Sequence, residues 1–415
     1  MFVNELCGSW TEHSLWRSRF AVRTNADVEK VIKSGVRHLW IDTERGADAV
    51  DPKFLAHTLA QQQARIDATL AQAEQAAAAD ERRLKRVSFA EEAHAAQKLL
   101  ARSRPAMLEI FSGARAGDSV DADRAAEIVN EVQASVARNP AALISLTHLR
   151  SADDYTYLHA IACSAMMTAL ARQLGMDDKL MQDVGLAGLL LDIGKARIPP
   201  AILRKPGALT DDEFAVMRTH TDLGHALLCD AGISNAVVLD VCLHHHEHID
   251  GSGYPHGLKG EAISEPARMA ALCDTYDAVT TERPYRRGAT LSPAEAVRKM
   301  ADWAPDHFDP VIFQAFVKTL GVYPVGSTVQ LACGRLGVVV ENHEHSLLRP
   351  KVKVFFSTQS KVRIAPEIVD LAQAGTQNRI VGRVDPAAFG LTRVDEVWAA
   401  EALAALRPRT VVGVQ

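Results

Sequence analysis

The chain has 415 residues, of which 47% are hydrophobic, 23% charged and 6% aromatic, with a formal net charge of −5. This composition is typical of a helix-rich globular protein, and its acidic balance provides no basic footprint for DNA or RNA. The six cysteines form no CxxC pair and no run of eighteen apolar residues occurs, so we expect no disulfide framework, zinc finger or membrane span.

Residues 1–54 are predicted to form a small α+β unit. FAVRT and VRHLWIDT are strand-like, and NADVEKVIKSG between them predicts a short helix that ends at Gly35. The first residues, MFVNELCGSWTEH, are neither basic nor followed by an apolar run, which is unlike a secretory signal. We therefore expect a cytoplasmic protein.

Residues 55–140 are predicted to be a helical connector that completes the N-terminal domain. The segment from 55 to 105 is rich in Ala, Gln, Glu, Lys and Arg, which are strong helix formers. Two interpretations stay open. Its Ala-rich faces pair with a second chain as a coiled coil, giving a homodimer, or it is a solvated connector, since a clean heptad of large apolar residues is missing.

The remaining chain divides into two further predicted parts. Residues 141–322 show helix after helix, separated by Gly and Pro turns. Residues 323–415 include VGSTVQLACGRLGVVVEN and KVKVFFS, whose β-branched alternation predicts a small antiparallel subdomain. The expected fold is mainly α, with a small N-terminal α+β unit and a small β-rich C-terminal extension.

The 16 histidines are concentrated in the helical part, where eight lie between His148 and His248. Several histidines together with aspartates at helix ends are better explained by metal ions than by separate structural roles. Asp192 follows the apolar run GLAGLLL, and Lys195 lies three residues later on the same helical face. By itself this pair is more simply explained as an ion pair at a helix end.

Two further segments carry histidines. Thr210 and Glu213 have the spacing of a capping box at the start of a helix that also carries His220, which alone would be a structural histidine. The segment LHHHEHIDGSGYP places four histidines within five residues before a Gly-rich turn. A solvated loop is the alternative, but the preceding Val-Cys-Leu favours a buried approach.

Aspartates and one more histidine lie on two other predicted helices. Asp274 ends an apolar run and Asp277 follows nearly one turn later, so one is a candidate ligand and the other a cap or an ion-pair partner. His159 lies in an amphipathic helix, four residues after Tyr155.

Taken in order, DIGKARIPPAILRKPG, HHEHIDGSGYP and DTYDAVTTERPYR resemble the HD-GYP family over about residues 141–340. The resemblance implies an HD-superfamily helical domain that hydrolyses cyclic di-GMP at a centre of two or three metal ions. Residues 1 to about 125, with SWTEHSLW and WIDTERG, resemble the accessory domain that often precedes it.

The resemblance also implies roles for individual residues. Asp192 would bridge two metal ions during hydrolysis, and Lys195 would contact the scissile phosphate as a catalytic and substrate-binding group. The implied metal ligands are His159, Asp192, His220, His245, His246 and Asp274. Further implied substrate contacts are Gly253, Tyr254, Pro255, Arg283, Tyr285 and Arg286. In this register His244 is an extra histidine, outside the matched pair.

The sequence departs from the family at two positions. Leu191 replaces the histidine of the HD dyad, and leucine has no lone pair to give a metal. Tyr155 replaces a glutamate of three-metal members, so at most two divalent ions, iron or manganese, are expected. Two functions follow. One is a phosphodiesterase that makes pGpG, with GMP as a further product, and has impaired activity. The other is a degenerate signalling module that binds cyclic di-GMP or protein partners without turnover.

Overall fold

The computed structural model describes residues 2–7, 20–22, 38–41, 87–149, 155–281, 290–343 and 346–406. The chain separates into two compact units, one from Met1 to Arg83 and the other from Leu84 to Gln415.

The described part of the N-terminal unit is a three-stranded antiparallel sheet. Its strands are β1 (Phe2–Cys7), β2 (Phe20–Ala21) and β3 (His38–Ile41), in the order β2-β1-β3. The strand predictions for FAVRT and VRHLWIDT are thus confirmed, whereas the sequence reasoning missed β1. The helix expected between β2 and β3 lies outside the described residues.

The second unit is mainly helical, in agreement with the predicted fold class. Its described α-helices before the C-terminal sheet are α1 (Phe89–Ala116), α2 (Ala122–Arg138), α3 (Pro140–Thr147), α4 (Tyr155–Gln173), α5 (Asp178–Leu190), α6 (Pro200–Leu203), α7 (Asp211–Arg218), α8 (His220–Asp230), α9 (Ala236–His244), α10 (Glu265–Thr280), α11 (Pro293–His307) and α12 (Pro310–Leu320). Short 3-10 turns at Ile193–Arg197 and Gly260–Ala262 interrupt the series.

Helix α4 lies at the centre of this unit and packs against α3, α5, α10 and α12. Because helices surround it, nearly every side chain from Tyr157 to Ala171 is buried, and the helix lacks a polar face. Any polar residue on α4 therefore needs an internal partner, which makes His159 informative.

The C-terminal sheet contains β4 (Thr328–Leu331), β5 (Arg335–His343), β6 (Ser346–Ser357), β7 (Val362–Asp370) and β8 (Ile380–Arg383). All of its pairings are antiparallel, in the order β7-β6-β5-β4-β8. Helix α13 (Asp395–Leu406) follows, and its Trp398 ring lies 6.0 Å from the Phe89 ring of α1. The sequence indicated the first three strands but not β7, β8 or α13.

The sequence predicts no membrane span, and one of its two open interpretations is a homodimer formed through the 55–105 segment. None of the described helices is both long and apolar enough to cross a membrane. The proposed dimer segment begins in residues outside the description and enters α1 only from Phe89 onward. The homodimer therefore remains a prediction.

Candidate metal centre

Histidine and aspartate side chains from five parts of the helical unit meet beside α4. Each is located at a helix end or on a buried helix face, as the apolar runs in the sequence indicated. They are His159 on α4, Asp192 after α5, His220 at the start of α8, His245 and His246 after α9, and Asp274 on α10.

The chain approaches itself closely at Gly194, and this contact brings two of those elements together. A Cβ atom at this position would lie 1.9 Å from the carbonyl oxygen of His220 and 2.4 Å from the amide nitrogen of Gly224. Only glycine fits such a contact. The turn after Asp192 therefore packs directly on the first turn of α8. The predicted capping box of Thr210 and Glu213 is present at the start of α7, but this helix ends at Arg218, and His220 begins α8 instead of lying on the capped helix.

Asp192 occupies the middle of the cluster and presents its two oxygens to different partners. Its Oδ2 lies 3.0 Å from His159 Nε2, while its Oδ1 lies 3.4 Å from His220 Nε2 and 3.6 Å from His245 Nε2. His220 Nε2 and His245 Nε2 are themselves 3.3 Å apart. One carboxylate thus separates two groups of donor atoms.

The three histidines around Asp192 are each oriented through Nδ1. His220 Nδ1 lies 2.8 Å from the Met217 carbonyl oxygen, and His245 Nδ1 lies 3.1 Å from that of Val241. His159 Nδ1 lies 2.6 Å from Asp277 Oδ2. A carbonyl or carboxylate oxygen accepts only from a protonated Nδ1, so Nε2 carries a lone pair when the ring is neutral. Three such lone pairs point at Asp192.

Electrostatics keep this cluster in a form that suits a cation. Burial and the nearby Lys195 ammonium lower the pKa of His220 to about 3, so the ring is neutral at physiological pH. Burial alone would raise the pKa of Asp192, but the positive charge of Lys195 holds it well below its usual range. Neutral imidazoles and an ionised carboxylate are the forms that bind divalent metals.

A divalent cation fits this donor set. Asp192 Oδ1 and Asp274 Oδ1 are buried and accept no well-aligned hydrogen bond from the described residues. Lone pairs of His220 Nε2, His245 Nε2 and Asp192 Oδ1 face one another within 3.6 Å. Such an arrangement is repulsive without a positive charge among the donors. Divalent metal binding therefore explains the cluster.

Asp274 and His246 form the rim of the same centre. Asp274 Oδ1 lies 3.2 Å from His159 Nε2, and Asp274 Oδ2 lies 3.9 Å from His246 Nδ1. Burial lowers the pKa of His246, so this ring is also neutral. The His246 ring stacks on Tyr254 with the ring centroids 4.7 Å apart. Tyr254 therefore connects the cluster to the Gly-rich turn that follows it.

Lys195 Nζ lies 2.5 Å from Asp192 Oδ2, at the edge of the cluster. This contact is the helix-end ion pair considered from the sequence. The same position leaves the ammonium beside the donor atoms, where an anionic ligand would approach. The geometry is thus compatible with both roles, and the role of Lys195 in substrate binding remains a proposal.

The GYP turn (residues 250–258) folds back on the histidine segment. A Cβ atom on Gly253 would lie 2.4 Å from the amide nitrogen of His248 and 2.5 Å from the Cα of Glu247, so glycine is required there. The carboxylate of Glu247 is buried and accepts the backbone N–H groups of His256 at 2.8 Å and Leu258 at 2.9 Å. Glu247 therefore holds the turn, a role that sequence reasoning did not assign to it.

Replacing Glu247 with glutamine is expected to loosen the GYP turn. The amide has one acceptor oxygen for two backbone N–H groups, and its own NH2 group faces a donor, which costs about 1–3 kcal/mol. We expect a lower melting temperature, with metal content unchanged. Calorimetry and metal analysis check this, with Glu261→Gln, an exposed glutamate, as the control. Unaltered melting would contradict the assigned role.

Leu191 stands where the family has a metal-binding histidine, and two nearby side chains, His244 and Cys163, could compensate for it. Leu191 is buried in the helical core and offers no donor atom. His244 is engaged elsewhere, with Nδ1 2.7 Å from Asp240 and Nε2 3.0 Å from His256. Cys163 lies one helical turn after His159, and its Sγ is 3.8 Å from His159 Nε2. Burial raises the pKa of this thiol to about 11.

Three predicted substrate-binding residues are not described by the structure, and two further residues, Asp277 and Cys163, lie beside the predicted ligands. Arg283, Tyr285 and Arg286 lie outside the described residues. Asp277, which the sequence left as a ligand or a partner, binds His159 as a partner. The sequence analysis did not consider Cys163 as a ligand, although the spacing His-x3-Cys on one helix was a usable signal.

A helical domain that gathers these histidines and aspartates around one carboxylate defines the HD-domain class of metal-dependent hydrolases. Comparison with known proteins agrees. The profile described as "HD domain" matches residues 130–312, and one described as "Domain of unknown function (DUF3391)" matches residues 1–125. The chain belongs to the HD-GYP family and carries its common N-terminal accessory domain.

Individual relatives share different extents of the chain. Cyclic di-GMP phosphodiesterase PA4108 of Pseudomonas aeruginosa is 47% identical over 96% of this chain and 92% of that protein. A cyclic di-GMP phosphodiesterase of Thermotoga maritima is 35% identical over 40% of this chain and 45% of that protein. A solved HD-GYP protein of Bdellovibrio bacteriovorus matches with a TM-score of 0.43 and 19% identity, covering 52% of this chain and 69% of its own.

Proposed function

We propose that this chain is a metal-dependent phosphodiesterase that hydrolyses cyclic di-GMP to pGpG, with GMP as a further product. The observation that carries the proposal is the convergence of three histidine Nε2 atoms on the two oxygens of Asp192. A relative that is 47% identical along nearly the whole chain is named for this activity. The metal is iron or manganese, with at most two ions per chain.

Two groups of side chains would hold the ions. His159, Asp192 and Asp274 form the first group, and Asp192, His220, His245 and His246 form the second. Asp192 belongs to both because each of its oxygens faces one group. Bound divalent ions lower the pKa of a nucleophilic water and neutralise phosphate charge, which is the chemistry that phosphodiester hydrolysis requires.

The side chains themselves supply orientation and charge. Asp277 and the carbonyl oxygens of Met217 and Val241 fix the histidine rings, so the donor atoms are in place before substrate arrives. Lys195 donates to a non-bridging phosphate oxygen and stabilises negative charge that develops during attack. Because Lys195 already contacts Asp192, it needs no long movement to do so.

The GYP turn forms the proposed nucleotide side of the site. Tyr254 stacks on His246, and the Arg218 guanidinium lies 5.1 Å from the centre of the Tyr254 ring. Gly253, Tyr254 and Pro255 would contact the nucleotide, and Arg283, Tyr285 and Arg286 would contact its guanine and phosphate groups. A planar ring next to a cation suits a purine nucleotide with a phosphate.

The direct test measures metal content together with turnover. Protein loaded with iron under anaerobic conditions, or with manganese, is incubated with cyclic di-GMP, and the products are separated by chromatography. Formation of pGpG that stops with a chelator and resumes with metal supports the proposal. Tight binding of cyclic di-GMP by metal-loaded protein without any product would support the degenerate signalling module, which Leu191 favours. 3′3′-cGAMP is the competing substrate, since a Vibrio cholerae relative is specific for it by name.

Lys195→Ala is expected to lower turnover of cyclic di-GMP by about 100- to 1,000-fold, because one preorganised charge near the reacting phosphate is lost. Metal content should stay near that of the wild type, since an ammonium cannot ligate a metal ion. Lys205→Ala, which removes a lysine paired with Glu213 on the surface, is the matched control. Equal losses of metal and thermal stability would favour the simple ion pair with Asp192.

A further inference from the structure

The first ion group has fewer donors than the second. Asp192 Oδ2 lies 3.0 Å and Asp274 Oδ1 lies 3.2 Å from His159 Nε2. Leu191 contributes nothing, because its side chain is a buried hydrocarbon. A metal ion held by one nitrogen and two oxygens has room for a further protein ligand.

Cys163 supplies a donor at this place. It lies one helical turn after His159, so both side chains occupy the same face of α4. Its Sγ is 3.8 Å from both ring nitrogens of His159, and Nδ1 is already engaged by Asp277. Only Nε2 is therefore available to share an ion with the sulfur. Cys163 is fully buried, and its sulfur, a His159 nitrogen and an Asp274 oxygen lie within 4.8 Å of one another.

The separation suits two ligands of one ion. Metal–nitrogen bonds of about 2.0–2.1 Å and metal–sulfur bonds of about 2.3 Å at a tetrahedral angle place the two donors about 3.6 Å apart. The observed distance between Cys163 Sγ and His159 Nε2 is 3.8 Å. The sulfur is as far from Nδ1 as from Nε2, so the Cys163 side chain must turn toward the Nε2 side of the ring to reach the same ion.

A second observation points to a ligand at the same place. Asp274 is more than nine-tenths buried, and its Oδ1 accepts no well-aligned hydrogen bond from the described residues. Asp274 is also the residue whose carboxylate lies within 4.8 Å of the donor atoms of His159 and Cys163. A buried carboxylate oxygen in such a position is costly unless a cation or a donor reaches it.

We propose that Cys163 binds the first metal ion as a thiolate and takes the place of the donor that Leu191 lacks. On binding, the Cys163 S–H bond breaks, the proton leaves to solvent, and the sulfur lone pair forms the metal–sulfur bond. No oxidation is involved. The proposal rests on the metal centre of the proposed function, and it extends that function to metal choice. One sulfur among nitrogen and oxygen donors favours iron, cobalt or zinc over manganese or magnesium.

Cobalt(II) reports this ligand without any enzymatic assay. Full-length protein stripped of metal is titrated with cobalt(II), and its near-ultraviolet and visible absorption is recorded. A cobalt–thiolate charge-transfer band is expected in the wild type, absent in Cys163→Ser and retained in Cys242→Ser. Cys242 is the matched control because it is equally buried but belongs to α9. Cobalt affinity should fall by at least about tenfold in Cys163→Ser and stay at the wild-type value in Cys242→Ser.

The outcomes separate this inference from the proposed function. A visible cobalt spectrum of the wild type with no charge-transfer band overturns thiolate ligation and leaves the metal centre in place. A band that persists in Cys163→Ser also overturns it, because another thiol would be the ligand. Failure of the wild type to bind any cobalt would overturn the metal centre itself. Should Cys163→Ser not fold, a variant that keeps Cys163 and carries serine at the other five cysteine positions must still show the band, and its absence there overturns the inference.

Discussion

Asp192→Asn is expected to empty both metal positions and to reduce cyclic di-GMP hydrolysis by more than about a hundredfold. Asp192 is the residue whose two oxygens face the two donor groups, so one substitution affects both ions. The asparagine NH2 group has no lone pair for a metal, and its neutral side chain no longer offsets a divalent charge. Removing a residue that only hydrogen-bonds to a metal ligand typically lowers metal affinity by about 10- to 100-fold, and removing a ligand itself should cost at least as much.

The fold should survive this substitution, which makes the effect interpretable. An amide NH2 group can donate to a nearby imidazole Nε2, so the asparagine relieves the repulsion among lone pairs in the metal-free protein. Wild-type protein should gain about 2.7 kcal/mol of stability when metal is present at a hundred times its dissociation constant. Asp192→Asn should gain none, whereas Asp212→Asn on the surface of α7 should behave as the wild type. Metal-dependent stabilisation of Asp192→Asn would contradict the bridging position.

Local sequence patterns predicted the elements of the site better than its contacts. Asp192 could be placed at a helix end because an apolar run followed by a glycine identifies where α5 ends. His220 was expected on the helix capped by Thr210 but begins the next helix, and Asp274 lies inside α10 and not at its end. His159 was identified from its helix and its resemblance to the family. The pattern of strands in the C-terminal extension was visible where β-branched residues alternate, but the exposed strand β7 does not alternate, and it was missed.

Contacts between distant segments were beyond the reach of the sequence. Asp277 binds His159 from 118 positions away, so no local period relates them. Glu247 stands directly after three histidines, yet its carboxylate accepts hydrogen bonds from the backbone of the GYP turn and does not face the donor atoms. The apolar sequence around Cys163 is that of any buried cysteine, and only the packing of α4 against α10 shows that it lies beside Asp274. These partners depend on tertiary packing, which periodicity does not encode.

Leu191→His is expected to raise the affinity for the more weakly bound ion by about 10- to 100-fold and to increase hydrolysis of cyclic di-GMP. Leu191 directly precedes Asp192, at the end of α5, and is buried in the core. An imidazole there would be costly if unpaired, but a metal ion within reach offers its nitrogen a bond. Metal titration of stripped protein against a competing chelator measures the change, and occupancy should approach two ions per chain.

The same substitution also tests how Leu191 and Cys163 are related. If the thiolate replaces a missing imidazole, Leu191→His should restore metal binding and turnover to Cys163→Ser, because a nitrogen then occupies the open position. The additional nitrogen should also let manganese bind nearly as well as iron, since the donor set no longer depends on sulfur. Leu190→His is the matched control, one position earlier on α5 and equally buried. It turns the imidazole by about 100° around the helix, away from the metal, and should only cost about 1–3 kcal/mol of stability. If Leu191→His shows that loss of stability without any gain in metal affinity, then position 191 does not face the ion, and the wild-type donor set is already complete.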